Sequence, residues 1–442
     1  MNSGRLYYSE SGIGCLLFIF VLLTGCNSNS DSSSKDNYSD RNRNIHFNDI
    51  ALDIQKRRGE AQLTVAGSYV SQGISLDVGD LLIDEVLVNG SEPDYHISVD
   101  RLDIRLPKTS QDVVVSVSYT FQYHEKFNGV SSAGHSFTWP YYCGNVFPCH
   151  TNPSGGSKYK LKISGVPDGL QAVYPIEINT EAPSYMLGFS IDDYSYLNLG
   201  ITEHGTEVGV YYRSEEYSEA VQGTLDLKEI INWFEQNVGA YAFGDHMASV
   251  SVAWKDGGYG GMEHHPYWHI SNTALANLSV HVHEAIHGWF GNSVRISCWE
   301  ELVLSEGIAS YLTARAIKEI VGEAEADTVW SKYYTQLQNL QNSSDNKIAW
   351  PDGCGKLDIF EDELFGVAPY MKGAFFLKDL EGVIGTELLD QSLRTLYMTK
   401  RGQAVRFSEF LDIIDRETGF DPRNCAYGWL RSESLPENNN CG

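Results

Sequence analysis

His283-Glu284-Ala285-Ile286-His287 is the segment whose residue types and spacing could do chemistry. On a helix, residues four apart lie on one face, so both imidazoles can reach one ion. Zinc takes neutral imidazole nitrogen and, in catalytic sites, keeps a fourth position for water. Glu284 is turned about 100° around the helix from His283 by the 3.6-residue period. There it can contact that water instead of the metal. Chance would give such a pentamer on the order of a few per cent of the time, so the rival reading is a structural helix holding two histidines.

Glu306 weakens that rival. It follows His287 with eighteen residues between them, inside the helical run Leu302-Val303-Leu304-Ser305-Glu306-Gly307-Ile308-Ala309-Ser310-Tyr311. A Gly291-Asn292 break separates the two runs. Two helices folded against each other would bring this carboxylate to the imidazoles, and two His with one Glu is a known catalytic zinc set.

These residues need a scaffold. From His46 to about Arg213 the pattern is β, with runs such as Ala61–Val65 and Asp112–Tyr119 that alternate or are β-branched. Asn89-Gly90, Asn128-Gly129 and Gly155-Gly156 punctuate them. From about Ser214 the pattern turns helical. Leu227, Ile230, Ile231, Phe234 and Val238 form a stripe at helix spacing. Ala274–Phe290, Glu301–Val321, Glu323–Leu340, Tyr370–Leu380 and Phe407–Asp415 read as further helices, and Ala248–Trp254 as a strand. The expected fold class is α+β and multidomain: a β-rich sandwich or open, saddle-like domain at 46–213, then a mixed, mostly α domain at 214–442.

The chain has 442 residues, too many for one compact core. Its net charge, 32 − 58 = −26, argues against a nucleic-acid partner, because phosphate binding needs a basic face. Residues 1–25 read as a secretory signal, with Arg5 before the apolar run Ile13–Leu23. That run is short for a membrane span, the alternative reading. Leu23-Thr24-Gly25-Cys26 resembles the bacterial lipoprotein signal, which implies that Cys26 receives lipid. Asn27 after it points, by the same analogy, to the outer membrane, with the protein facing the periplasm or the exterior. Residues 26–45, rich in Ser, Asn and Asp, are expected to be a flexible tether.

Six cysteines remain: Cys143, Cys149, Cys298, Cys354, Cys425 and Cys441. An even number in an exported chain suggests disulfides, with fifteen pairings open. Local closure favours Cys143–Cys149 and Cys425–Cys441, leaving Cys298–Cys354. No Cys-x-x-Cys pair supports a Cys-ligated metal.

Four motifs in order carry a specific resemblance. His283-Glu284-Ala285-Ile286-His287 with Gly288-Trp289-Phe290-Gly291-Asn292, then Trp299 and Glu306-Gly307-Ile308-Ala309-Ser310-Tyr311, resembles the membrane alanyl aminopeptidase family of gluzincins. Leukotriene hydrolase belongs to the same family. Gly260-Gly261-Met262-Glu263-His264 resembles the family's exopeptidase motif Gly-Ala/Gly-Met-Glu-Asn, and Tyr370-Met371-Lys372-Gly373-Ala374 its Tyr-x-Lys-Gly-Ala. Fainter echoes lie at Phe147–Pro153 and Ser184–Phe189. The resemblance covers roughly residues 46–380.

By position it implies one zinc ion on His283, His287 and Glu306, and Glu284 as general base. Glu263, in the Gly260-Gly261-Met262 segment, would hold the substrate's free α-ammonium, and Tyr370 would donate to the developing oxyanion. The catalytic domain would be thermolysin-like and the partner a peptide with a free N-terminus. His264, His265, His269 and His281 crowd the region and are expected to line the pocket or support the ligands; Asp362 is a further candidate for pocket lining. His264 and Ser305 each stand where the family has Asn. The family's large C-terminal helical domain is not expected in a chain that stops about seventy residues after Tyr370. Two other functions stay open: a zinc endopeptidase for larger peptides or surface proteins, and a non-catalytic binding protein on a peptidase scaffold.

Overall fold

The computed structural model describes residues 39–254, 259–436 and 441. The expected signal at 1–25, Cys26 and most of the tether lie outside them. The end of the expected tether is packed: Arg43 is buried, and its guanidinium donates to the Ala66 and Ser71 carbonyls at 2.7 and 3.1 Å. All elements below belong to one unit, Tyr38–Gly442.

Period-two alternation builds the first sheet. Its strands run in the order Glu177–Ala182, Ser157–Ser164, Ile45–Asp53, Arg58–Val65, Val113–Thr120 and Leu82–Val88. Ile45–Asp53 and Ser157–Ser164 are parallel and the other neighbours antiparallel. Val113, Val115, Val117 and Tyr119 bury one face, while Lys158, Lys160 and Lys162 project to solvent. The two runs singled out in the sequence pair side by side, Ala61 opposite Val117.

A second sheet of five strands positions the site. Its order is Tyr194–Ile201, Glu207–Arg213, His246–Val252, Tyr267–Ser271 and Gly261–Met262. The central three strands are parallel and both edge strands antiparallel. The expected domain boundary at 213/214 therefore falls inside one sheet. Alternation identifies a strand but not the partner it pairs with, which is set by long-range contacts.

The helices among the described residues are α1 (Tyr217–Thr224), α2 (Leu227–Asn237), α3 (Leu278–Ile286), α4 (Leu302–Ile320), α5 (Glu323–Asn342), α6 (Val367–Ile384), α7 (Thr386–Lys400), α8 (Phe407–Thr418) and α9 (Arg423–Leu430). The stripe Leu227, Ile230, Ile231 and Phe234 is fully buried on α2. The expected helix at 274–290 is shorter. Asn277 starts α3 by accepting the Ser279 N–H, and the chain turns at Gly288. α4 is apolar nearly all round and is the core helix against which α3, α5 and α6 pack.

Disulfides join Cys143–Cys149 and Cys425–Cys441, the two pairs that local closure favours, and Cys298–Cys354, the pair left by elimination. Among the described residues no helix is long and apolar enough to cross a membrane.

Candidate metal centre and active site

α3 and α4 bring His283, His287 and Glu306 together. Glu306 Oε2 lies 3.2 Å from His283 Nε2 and 3.4 Å from His287 Nε2, and the two Nε2 atoms are 3.3 Å apart. Three donor atoms of this kind within reach of one point form a set that fits a tetrahedral zinc with its fourth position open.

The surroundings fix the imidazole that most needs fixing. His287 Nδ1 is 3.0 Å from the Phe290 carbonyl, which only accepts, so the proton sits on Nδ1. Nε2 would then keep its lone pair for a metal ion held together with Glu306. Ser305 Oγ sits 3.1 Å from the same Nδ1. Gly291 allows this close turn. Its φ of +119° suits glycine, and a Cβ there would fall 2.5 Å from Ser305 Oγ and 2.9 Å from His287 Nδ1.

The triad lies in a cleft of about 410 Å³ that Glu263, Glu284 and Tyr370 also line. Glu284 rests against Gly261, where a Cβ would meet its Cδ at 2.6 Å. Tyr370 stacks on His283, ring centroids 5.8 Å apart and 19° between planes. Gly260, Gly261 and Met262 line the cleft from the sheet edge. Such an edge strand presents backbone groups that an extended peptide can pair with.

The carboxyls differ in charge state. Burial pushes Glu284 well above the usual range, with His287 opposing and Glu263 adding. Burial likewise lifts Glu263 to about 7 against the pull of His287. Glu306 moves the other way, to about 2: burial raises it, but His287 and His283 outweigh that. His287 correspondingly rises to about 10, as Glu306 overrides burial. The opposed directions have one cause, the attraction between the buried Glu306 carboxylate and the two imidazoles that face it. Tyr370, pushed up by burial and the nearby carboxylates, stays a neutral donor.

The other candidates are placed apart from the triad. His265 Nε2 donates to the Glu284 carbonyl at 2.8 Å, and its Nδ1 accepts the Tyr241 hydroxyl at 2.8 Å. His281 donates to the Leu275 carbonyl and accepts from Ser249. His264 donates to the Tyr185 carbonyl, and His269 packs edge-on against it at 4.8 Å. Asp362 does not line the cleft. It is exposed and accepts the Asp358 N–H, closing a local turn, which is the ordinary use of an Asp in a loop.

Residues outside the motifs also line the cleft. Trp139 and Phe365, ring centroids 4.5 Å apart, form part of its wall. Neither had a sequence signal, because each comes from a loop and only folding brings them together. Ser305 was visible as a departure from a motif, but its contact with His287 was not.

Residues 228–429 match the family described as Peptidase family M1 domain. Leucine aminopeptidase 2 of Sclerotinia sclerotiorum is 23% identical over 437 residues, covering 86% of this chain and 70% of its own length. Leukotriene A-4 hydrolase of Xenopus laevis is 24% identical over 420 residues, covering 82% and 66%. The chain thus spans about two thirds of the length of these relatives. Among solved structures, an M1 zinc metallopeptidase from Deinococcus radiodurans superposes with a TM-score of 0.76 at 16% identity, covering 89% of this chain and 95% of that one. Yeast LTA4 hydrolase gives 0.76 at 20%, covering 92% and 69%. These likenesses establish the fold: a β-rich N-terminal half followed by a mostly helical half that carries the metal motif.

Proposed function

With a peptidase family M1 domain over residues 228–429 as the premise, we propose that this protein is a zinc-dependent aminopeptidase that cleaves the first peptide bond of peptides with a free N-terminus. The observation that carries the reading is the convergence of His283, His287 and Glu306 in the cleft that also holds Glu263, Glu284 and Tyr370.

When bound, zinc supplies a Lewis acid that lowers the pKa of a bound water and polarises the scissile carbonyl. Glu284, its proton affinity raised by burial, takes a proton from the attacking water and delivers it to the leaving amine. Tyr370 keeps its phenolic proton and donates it as a hydrogen bond to the oxyanion. Glu263 pairs with the substrate's α-ammonium in a charge-assisted bond. The ammonium would supply the charge that a buried carboxylate lacks, so the site selects the chain terminus.

The test compares a free aminoacyl amide with its N-acetylated form, alongside metal analysis of the purified protein. One zinc per chain and loss of turnover on acetylation are expected. Equal rates on both substrates would leave an endopeptidase; no turnover of either would leave a binding protein.

The tetrapeptide Leu23-Thr24-Gly25-Cys26 supports placement in a bacterial cell envelope, lipid-anchored through Cys26. Cys26→Ser should then move the protein from the membrane fraction to the soluble fraction. Retention in the membrane would remove the anchor.

A further inference from the structure

Three hydrogen bonds form a closed circuit between Glu263 and the turn after the metal helix. Asn292 Nδ2 donates to the Glu263 carbonyl at 2.8 Å. One residue back, the Gly291 carbonyl accepts the Tyr185 hydroxyl at 2.9 Å. The Tyr185 carbonyl in turn accepts His264 Nδ1–H at 3.1 Å, together with the Thr138 hydroxyl at 2.7 Å. The peptide bonds 263–264 and 291–292 close the ring. Glu263 stands at the apex of a three-residue turn, since the His264 N–H also donates to the Met262 carbonyl at 2.8 Å. All members of the circuit are buried, so no water competes for these bonds.

His264 stands where the resembled motif has Asn. The Nδ1 of histidine and the amide nitrogen of asparagine are both two bonds from Cβ, so the ring can offer the same donor. The rest of the ring needs space, and Gly188 leaves it: a Cβ at 188 would fall 2.6 Å from both Cγ and Cδ2 of His264. Burial also holds the imidazole neutral, its pKa pushed down to about 3.

We infer that His264 is a positioning residue for the aminopeptidase reaction: through the Tyr185 carbonyl it fixes Glu263 at a set distance from the metal site, and Gly188 is the position that admits its ring. This rests on Glu263 as the ammonium anchor. The wild-type comparison of free and acetylated amides tests that reading separately; equal rates would overturn it and this inference with it.

The experiment measures KM and kcat for a free aminoacyl amide, with zinc content, in the full-length protein. His264→Ala should raise KM about tenfold, the size of one lost buried hydrogen bond, with zinc content unchanged and kcat within about threefold. His264→Asn keeps the donor and should stay within about threefold of wild type in KM. An unchanged KM in His264→Ala, or an Asn variant as damaged as the Ala variant, overturns the inference. Gly188→Ala should raise KM by itself, yet add nothing to His264→Ala, because the ring it strikes is then gone. Multiplied effects in the double variant overturn the inference. If His264→Ala does not fold, Gly188→Ala alone decides: a wild-type KM refutes the positioning role.

Discussion

Gly307 on α4 and Gly373 on α6 cross so closely that a Cβ on Gly373 would lie 2.5 Å from the Gly307 Cα. Glu306 precedes one glycine and Tyr370 lies one turn before the other, so this crossing brings Glu306 and Tyr370 to one cleft. Each of two distant motifs carries a glycine for the same contact.

Gly373→Ala should therefore force the helices apart. Overpacking of this kind costs about 1–3 kcal/mol of stability. Since α6 carries Tyr370, kcat should fall more than KM rises. Calorimetry and steady-state kinetics check both; a variant with wild-type melting and kcat would refute the close contact.

Glu284→Gln keeps the shape of the side chain and removes the base. Zinc content should stay at wild type while kcat drops about 10²–10⁴-fold. Tyr370→Phe removes only the hydroxyl, and kcat should fall about 10²–10³-fold with KM little changed. Full activity in either variant would strip that residue of its role.

Ser305→Ala tests the support of His287. Such outer partners typically contribute 10–100-fold in metal affinity. The Phe290 carbonyl still orients the ring, so a loss near the low end, about tenfold, is expected in a competition titration with a chelator. No change would mean that Phe290 suffices.

Stability should respond to acid through His265. Burial pushes its pKa down to about 3, while the unfolded chain binds a proton near 6.5. The folded state thus excludes a proton that the unfolded state takes up. The contribution is fully present above about pH 6.5 and is lost as pH falls toward 3, at about 1.4 kcal/mol per pH unit. His265→Gln should be less stable than wild type at pH 7.5, and the gap should narrow below 6.5. A gap that stays constant from pH 7.5 to 5 rules this out.

The candidate metal ligands on α3 were legible because their spacing is local. His283 and His287 share a face by helical period alone, and Glu284 is turned away from them by the same geometry. The stripe on α2 and the alternation at Val113–Tyr119 were legible for the same reason: periods of 3.6 and 2 are written in neighbouring residues. α7 lies beyond the helices expected, although Leu389, Leu393, Leu396 and Tyr397 carry helical spacing.

Sequence by itself singled out the side chains that the proposed reaction would use, and where many of the helices and strands run. Tertiary structure decided what those residues rest on: the glycine crossing of α4 and α6, the sheet that spans position 213, and the Tyr185 circuit behind Glu263. The physical reason is range. Local periodicity follows from backbone geometry, whereas contacts between residues a hundred positions apart depend on how whole elements pack, and no short window of sequence encodes that.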